Sequence, residues 1–277
     1  MKTSVFYQSV IKACLFLFIA GFTFFGCKTK QEKEPVATEV TEKDMDKEAV
    51  IEEISGYPLP TSFEVAKMLN DAKAPYILSI CNTNENVGNY FLQKEKALNL
   101  GVYGADLSYA STYNMKQETM LYLEASKRLT DEMEISTAFN LTFIERIENN
   151  LENGDSLISI ISDSFYDTYD YLTKNEKDKL AILVMAGSWI EGLYITSQIA
   201  LTAGDNTIFL EIIAHQKNSL NKLLEVMDPV KEDDDVAEIH SGLTDLNKLY
   251  DTIEEKITDE QLKEISNFIE TLRNNIV

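Results

Sequence analysis

Glu191 is the residue whose surroundings in the sequence most strongly suggest chemistry. It is the single charged residue among the 25 that separate Lys179 from Asp205, and most of the others are apolar or small. A carboxylate on an apolar helix face must be protonated, paired or metal-bound, because an isolated buried charge costs too much free energy. Gly187 and Tyr194 share its helix face, so these three residues form a candidate pocket.

The same pattern is also typical of a glutamate in a protein core, and this interpretation is favoured. A Tyr, Arg or backbone group of a neighbouring helix would then bind the carboxylate. In that case Glu191→Gln should cost only ~1 kcal/mol, whereas Glu191→Ala should cost more. The surrounding helix, expected at 177–203, is long enough to span a membrane, but a central charge disfavours that assignment.

A second candidate group comprises Asp106, Tyr109 and Tyr113. They lie at i, i+3 and i+7, which places them on one helix face, and Gln117 continues that face at i+11. An acid among tyrosines can line a sugar or peptide cleft. The pattern fits amphipathic core residues whose hydroxyls reach the rim equally well, and this second interpretation is favoured.

The motifs of common enzymes are missing from the sequence. His215 has a glutamate only at i−4, whereas a di-iron bundle needs Glu-x-x-His twice. There is no nucleotide-binding glycine loop and no nucleophile elbow. Three widely spaced cysteines do not form a zinc site. We therefore expect no metal and no cofactor, and a non-enzymatic role is favoured.

The N-terminus carries the pattern of a signal peptide. Two lysines precede a 14-residue apolar and small run at 13–26, which is short for a membrane span. The run ends Phe-Phe-Gly-Cys and resembles the bacterial lipoprotein signal, in which a small residue precedes an invariant cysteine. The resemblance implies that Cys27 receives a diacylglycerol, that residues 1–26 are removed, and that the new amine is acylated. Two or three acyl chains anchor a protein durably, at ~0.8 kcal/mol per buried CH₂.

The remaining chain divides into a tether and one domain. Residues 27–56 contain the lipidated cysteine and a charged segment that is too poor in apolar residues to fold. Residues 57–277 are predicted to be all-α, a single irregular antiparallel helical bundle with short loops. We expect helices at 63–72, 88–100, 105–133, 139–150, 177–203 and 206–227, one capped by Asp155, one ending near Ile257, and one following a capping box at Thr258.

Three segments of this domain resemble a known family. They are YPLPTSFEVAKMLNDAKAPYI at 57–77, NLGVYGADLSYASTYN at 99–114 and GSWIEGLYI at 187–195. They are similar to segments of a family of helical lipoproteins of Gram-negative bacteria that has no assigned activity. The resemblance implies a shared fold and a cell-envelope location, and it brings no catalytic residue.

These patterns predict a lipid-anchored envelope module with a binding or scaffold role. Its partners are the membrane, through the acyl chains, and an envelope protein or small ligand. A net charge of −21 disfavours nucleic acid. An aspartate directly after the lipidated cysteine is associated with retention in the inner membrane. This sequence has Lys28 at that position, so the outer membrane is favoured. The sequence does not distinguish the periplasmic side from the cell surface. The alternative is a ligand-sensing or hydrolytic protein whose pocket centres on Glu191 and Asp106. It gains support if both carboxyl groups open onto one cleft.

Overall fold

The computed structural model describes residues 62–136 and 141–277. Within these ranges the chain is an all-α helical bundle that contains no strand, and this confirms the predicted fold class. The predicted signal peptide, the tether and the lipidated Cys27 all lie outside the described residues. Those three assignments therefore stay predictions.

The helices follow one another through short connections. The α-helices are α1 (Ser62–Asp71), α2 (Gln93–Thr112), α3 (Lys116–Glu132), α4 (Leu141–Asn150), α5 (Gly154–Lys174), α6 (Asp178–Thr202), α7 (Thr207–Met227), α8 (Ala237–Tyr250) and α9 (Asp259–Asn274). Short 3-10 helices lie at Leu78–Ile80, Asn84–Asn89 and Asp228–Val230. Helix α8 ends at Tyr250 and not near Ile257, since the chain turns directly after Tyr250, whose hydroxyl donates to the carbonyl of Ile213 in α7 at 3.0 Å.

Helix α6 is the centre of the bundle. It contacts α1, α2, α5, α7 and α9, and nearly all of its residues from Ala181 to Ala200 are buried. A helix that is apolar on every side is buried on every side. Among the described residues, α6 alone has the length and composition of a membrane span, but 89% of its most apolar window is buried inside the bundle. That burial is typical of a core helix.

Two glycines allow α2 and α6 to touch through their backbones. A Cβ atom added to Gly101 would lie 2.0 Å from the carbonyl oxygen of Val184, and one added to Gly187 would lie 2.0 Å from that of Leu98. The predicted break of the helix near Gly101 and Gly104 is therefore wrong. Helix α2 runs through both glycines, because the close approach to α6 offsets the poor helix propensity of glycine.

The break falls later, at Asn114. Its φ of 56° is left-handed, a conformation that asparagine tolerates better than most residues, and it separates α2 from α3. The expected continuous helix 105–133 is therefore wrong as well. As a consequence, Gln117 lies in the first turn of α3 and does not continue the helix face of Asp106, Tyr109 and Tyr113.

Polar side chains cap helices α5 and α9 at their N-termini. The capping box at α9 is confirmed, because Thr258 Oγ1 accepts from the Gln261 N–H at 3.2 Å and Gln261 Oε1 accepts from the Thr258 N–H at 3.1 Å. Helix α5 is capped by Asn153, whose Oδ1 accepts from the Ser156 N–H at 3.2 Å. The prediction that Asp155 fills that role is wrong, since Asp155 already lies inside the first turn.

Candidate functional site

Glu191 forms a buried ion pair with Arg273 from the last turn of α9. Arg273 Nε donates to Oε2 at 2.7 Å and Nη2 donates to Oε1 at 3.0 Å, so the contact is bidentate. Glu191 is 0% exposed and Arg273 is 8% exposed. Burial raises the pKa of Glu191, whereas Arg273 and a hydrogen bond with Asp106 lower it. The pair joins the two helices α6 and α9 inside the core.

Asp106 of α2 lies next to this ion pair and is also completely buried. Its Oδ2 accepts from the backbone N–H of Asn82 at 3.0 Å, and no donor among the described residues faces Oδ1. Burial raises the pKa of Asp106 well above its usual value, the charge of Glu191 raises it further, and Arg273 opposes both effects only in part. The net effect raises the pKa of Asp106, so its carboxyl group binds a proton more readily than the carboxyl group of an exposed aspartate does.

Arg273 is the residue that connects the buried groups to the surface. Its guanidinium lies over the ring of Tyr194, 4.4 Å from the centroid, and its Nη2 also donates to the carbonyl of Ile80 at 3.3 Å. No hydrogen bond to another described residue uses Nη1. A guanidinium has five N–H donors, so Arg273 retains donors for a further partner.

A polar cleft opens beside Arg273, between the segment 78–86 and the first half of α3. Its volume is about 530 Å³, within the range of small-molecule sites. The polar side chains that line it are Ser79, Asn82, Thr83, Asn84, Asn86, Gln117, Glu118 and Arg273. Glu191 and Asp106 have no exposed surface and do not line the cleft. Arg273 therefore separates the two carboxyl groups from any molecule in the cleft.

Cys81 contributes a thiol to the same cleft. Cys81 is half-buried and lies near Tyr76 and Tyr122. Burial raises the pKa of Cys81, and the nearby carboxyl groups of Asp106 and Glu191 raise it further. The thiolate is the nucleophilic form of cysteine, so this environment keeps Cys81 unreactive at neutral pH.

The structure separates the sequence-predicted residues into two groups. Glu191, Tyr194 and Asp106 meet around Arg273. Tyr109 and Tyr113 instead form an aromatic cluster, with ring centroids 5.0 Å apart, and neither lines the cleft.

Tyr109 has a structural role, because it fixes the segment that leads to the cleft. Its hydroxyl accepts from the Ile77 N–H at 3.0 Å and donates to the carbonyl of Pro75 at 3.1 Å. Gly187 likewise serves the packing of α2 on α6.

Sequence reasoning missed Arg273, although a signal for it exists. The buried face of α9 passes through Leu262, Ile265 and Ile269, and Arg273 continues the same face. A cation on the apolar face of one helix and an anion on the apolar face of another are complementary. The residues of the segment 78–86 carry no such periodic signal, because their placement depends on the helices that surround them.

Comparison with known proteins adds no relative on which to base an assignment. No family model matches the chain, and no curated protein or solved structure matches it significantly.

Proposed function

We propose that this protein is a lipid-anchored binding module of a bacterial cell envelope, with the polar cleft as its binding site. The anchor is supported by the sequence alone, through the apolar run at 13–26 and Cys27. The observation that supports binding is the cleft of about 530 Å³ beside Arg273, whose Nη1 has no partner among the described residues.

The chemistry around the cleft supports binding over catalysis. Glu118 is the one carboxylate among the described residues that line the cleft, and a hydrolytic role would need a second carboxyl group or a thiolate beside it. Glu191 and Asp106 have no exposed surface, and their oxygens face Arg273, Asn82 and each other. Cys81 reaches the cleft, but its raised pKa keeps it as a thiol. What the cleft presents to a ligand is a set of fixed hydrogen-bonding groups.

The anchor is tested by Cys27→Ala. Both the thioether and the cleavage depend on that thiol, so the variant should incorporate no alkyne-tagged fatty acid and should accumulate as a larger precursor. Cys81→Ala is the matched control, and it should be labelled and processed like the wild type. Continued labelling of the Cys27→Ala protein would contradict the lipid anchor.

Binding at the cleft is tested on the full chain purified from native envelopes in mild detergent. Ser79 is exposed and lines the cleft, so Ser79→Trp should fill it without disturbing the core. Small molecules released by denaturation are identified by mass spectrometry. Wild type and the control Ser241→Trp, at an exposed position of α8, should release a compound that Ser79→Trp lacks. Equal release from all three proteins would contradict a ligand site in the cleft.

A further inference from the structure

The polar groups of the cleft are of a kind that both donate and accept. Asn84, Asn86 and Gln117 carry carboxamides, each with two donor hydrogens and one acceptor oxygen. Glu118 adds an acceptor, and no hydrogen bond or ion pair with a described residue engages its carboxylate. Arg273 adds the donors of Nη1. A matching ligand must therefore present both donors and acceptors within a small volume.

The charges of the cleft disfavour an anionic ligand. Arg273 is the one cation that lines it, and Glu191 already neutralises that cation through two hydrogen bonds. Glu118 leaves one uncompensated negative charge at the wall. The chain as a whole carries a net charge of −21, which also repels anions at long range.

Apolar side chains complete the lining. Leu78 and Leu121 lie among the polar groups of the cleft, and Tyr122 contributes an aromatic ring there. The C–H faces of a sugar ring can pack on such apolar surfaces. The carboxamides can at the same time donate hydrogen bonds to the ring hydroxyls and accept hydrogen bonds from them. A hydroxyl group is itself both a donor and an acceptor, which matches the dual character of the carboxamides.

We propose that the polar cleft binds a small uncharged carbohydrate of one or two sugar rings. This inference rests on the proposed function, because it names the class of ligand for the same cleft. In the complex, ring hydroxyls donate to Glu118 and accept from Arg273 Nη1, and the carboxamides of Asn84 and Gln117 bind neighbouring hydroxyls. Asp106 and Glu191 are completely buried behind Arg273, so neither carboxyl group contacts the ligand.

The test is saturation-transfer NMR on the full chain in a detergent that has no sugar headgroup. The probes are glucose, N-acetylglucosamine and maltose, with glucuronate and dialanine as the anionic and the peptidic counterpart. At least one neutral sugar should receive saturation from the protein. Glucuronate and dialanine should not, since the first is an anion and the second lacks hydroxyls.

Substitutions of residues that line the cleft test whether the saturation transfer comes from binding at the cleft. Asn84→Ala and Gln117→Ala each remove hydrogen bonds to the sugar and should weaken its binding roughly 3- to 10-fold. Asn267→Ala, at an exposed position of α9, is the matched control and should bind like the wild type. Binding of glucuronate or dialanine alone, binding that both cleft variants leave unchanged, or no binding of any neutral sugar would each overturn the proposal. The proposed function survives any of these results if the purified wild type still releases a cleft ligand.

Discussion

Replacing Arg273 by methionine tests whether the buried ion pair holds the domain together. Methionine keeps much of the side-chain volume but leaves Glu191, which is 0% exposed, without a cation. Breaking a buried pair by removing one partner costs about 3–5 kcal/mol. Domains of this kind have about 5–15 kcal/mol of stability, so Arg273→Met should still fold and should unfold at a clearly lower urea concentration.

A double-mutant cycle isolates the pair from the rest of the packing. Glu191→Leu should be costly alone, because it leaves the guanidinium buried without an anion. Arg273→Met together with Glu191→Leu should lie within about 1–2 kcal/mol of the wild type, since apolar residues often replace a buried pair without loss. Urea unfolding followed by circular dichroism measures all four proteins. Additive losses, with the double variant the least stable, would refute the ion-pair argument.

The pH dependence of Arg273→Met gives an independent check. Burial raises the pKa of Glu191, and removing the cation takes away the main opposing effect. A carboxyl group whose pKa is raised on folding destabilises the fold at pH above its folded pKa. This loss disappears as pH falls toward the unfolded pKa, about 4.3. The difference in the free energy of unfolding between the wild type and Arg273→Met should therefore be larger at pH 7 than at pH 5.

The ion pair also changes what we expect of Glu191→Gln. The sequence predicts a cost of ~1 kcal/mol for this substitution, on the ground that glutamine keeps most of the hydrogen bonding whichever group is the partner. A neutral amide facing Arg273 leaves the buried guanidinium without a counter-ion. The loss in the free energy of unfolding should therefore exceed ~1 kcal/mol. Asp106 limits it, because its pKa falls when the charge of Glu191 is gone and its carboxylate then faces the cation. Combining Glu191→Gln with Asp106→Asn should therefore cost more than the sum of the two single substitutions.

Three further predictions concern single residues. Asp106→Asn should be more stable than the wild type at pH 7, because the asparagine cannot ionise. It should also flatten the fall in stability that the raised pKa of Asp106 causes in the wild type as pH rises above ~4, and urea unfolding across pH 4–8 measures both effects. Gly101→Ala should lower the free energy of unfolding by about 3 kcal/mol, because the new methyl group clashes with the Val184 carbonyl. Gly104→Ala, on the same helix, places its methyl group where no atom lies within 4 Å, and it should raise the free energy of unfolding by up to ~1 kcal/mol. Thermal unfolding measures both variants. Thr258→Ala should cost ~1 kcal/mol through loss of the α9 cap, and an equal stability of the two proteins in urea would contradict that role.

The position of Glu191 shows how far the sequence leads toward the site. Its isolation in an apolar helix correctly indicates a buried carboxyl group, because burial of that helix follows from its own composition. The partner does not follow, since Arg273 lies 82 residues away and pairs with Glu191 only once α9 packs on α6. Asp106 joins them from a third helix, which no local pattern reveals.

The glycines of α2 show the same limit in the fold. Local propensity places a helix end near Gly101, but the backbone of α6 lies so close that an added Cβ atom would clash with it, so a continuous helix needs glycine there. The sequence by itself determined the all-α class, the capping box at Thr258 and the burial of Glu191, because each depends on residues within a few turns. Only the tertiary structure decided the Arg273 ion pair, the raised pKa of Asp106 and the polar cleft, because each depends on distances between segments far apart in the chain and on the burial that their packing creates.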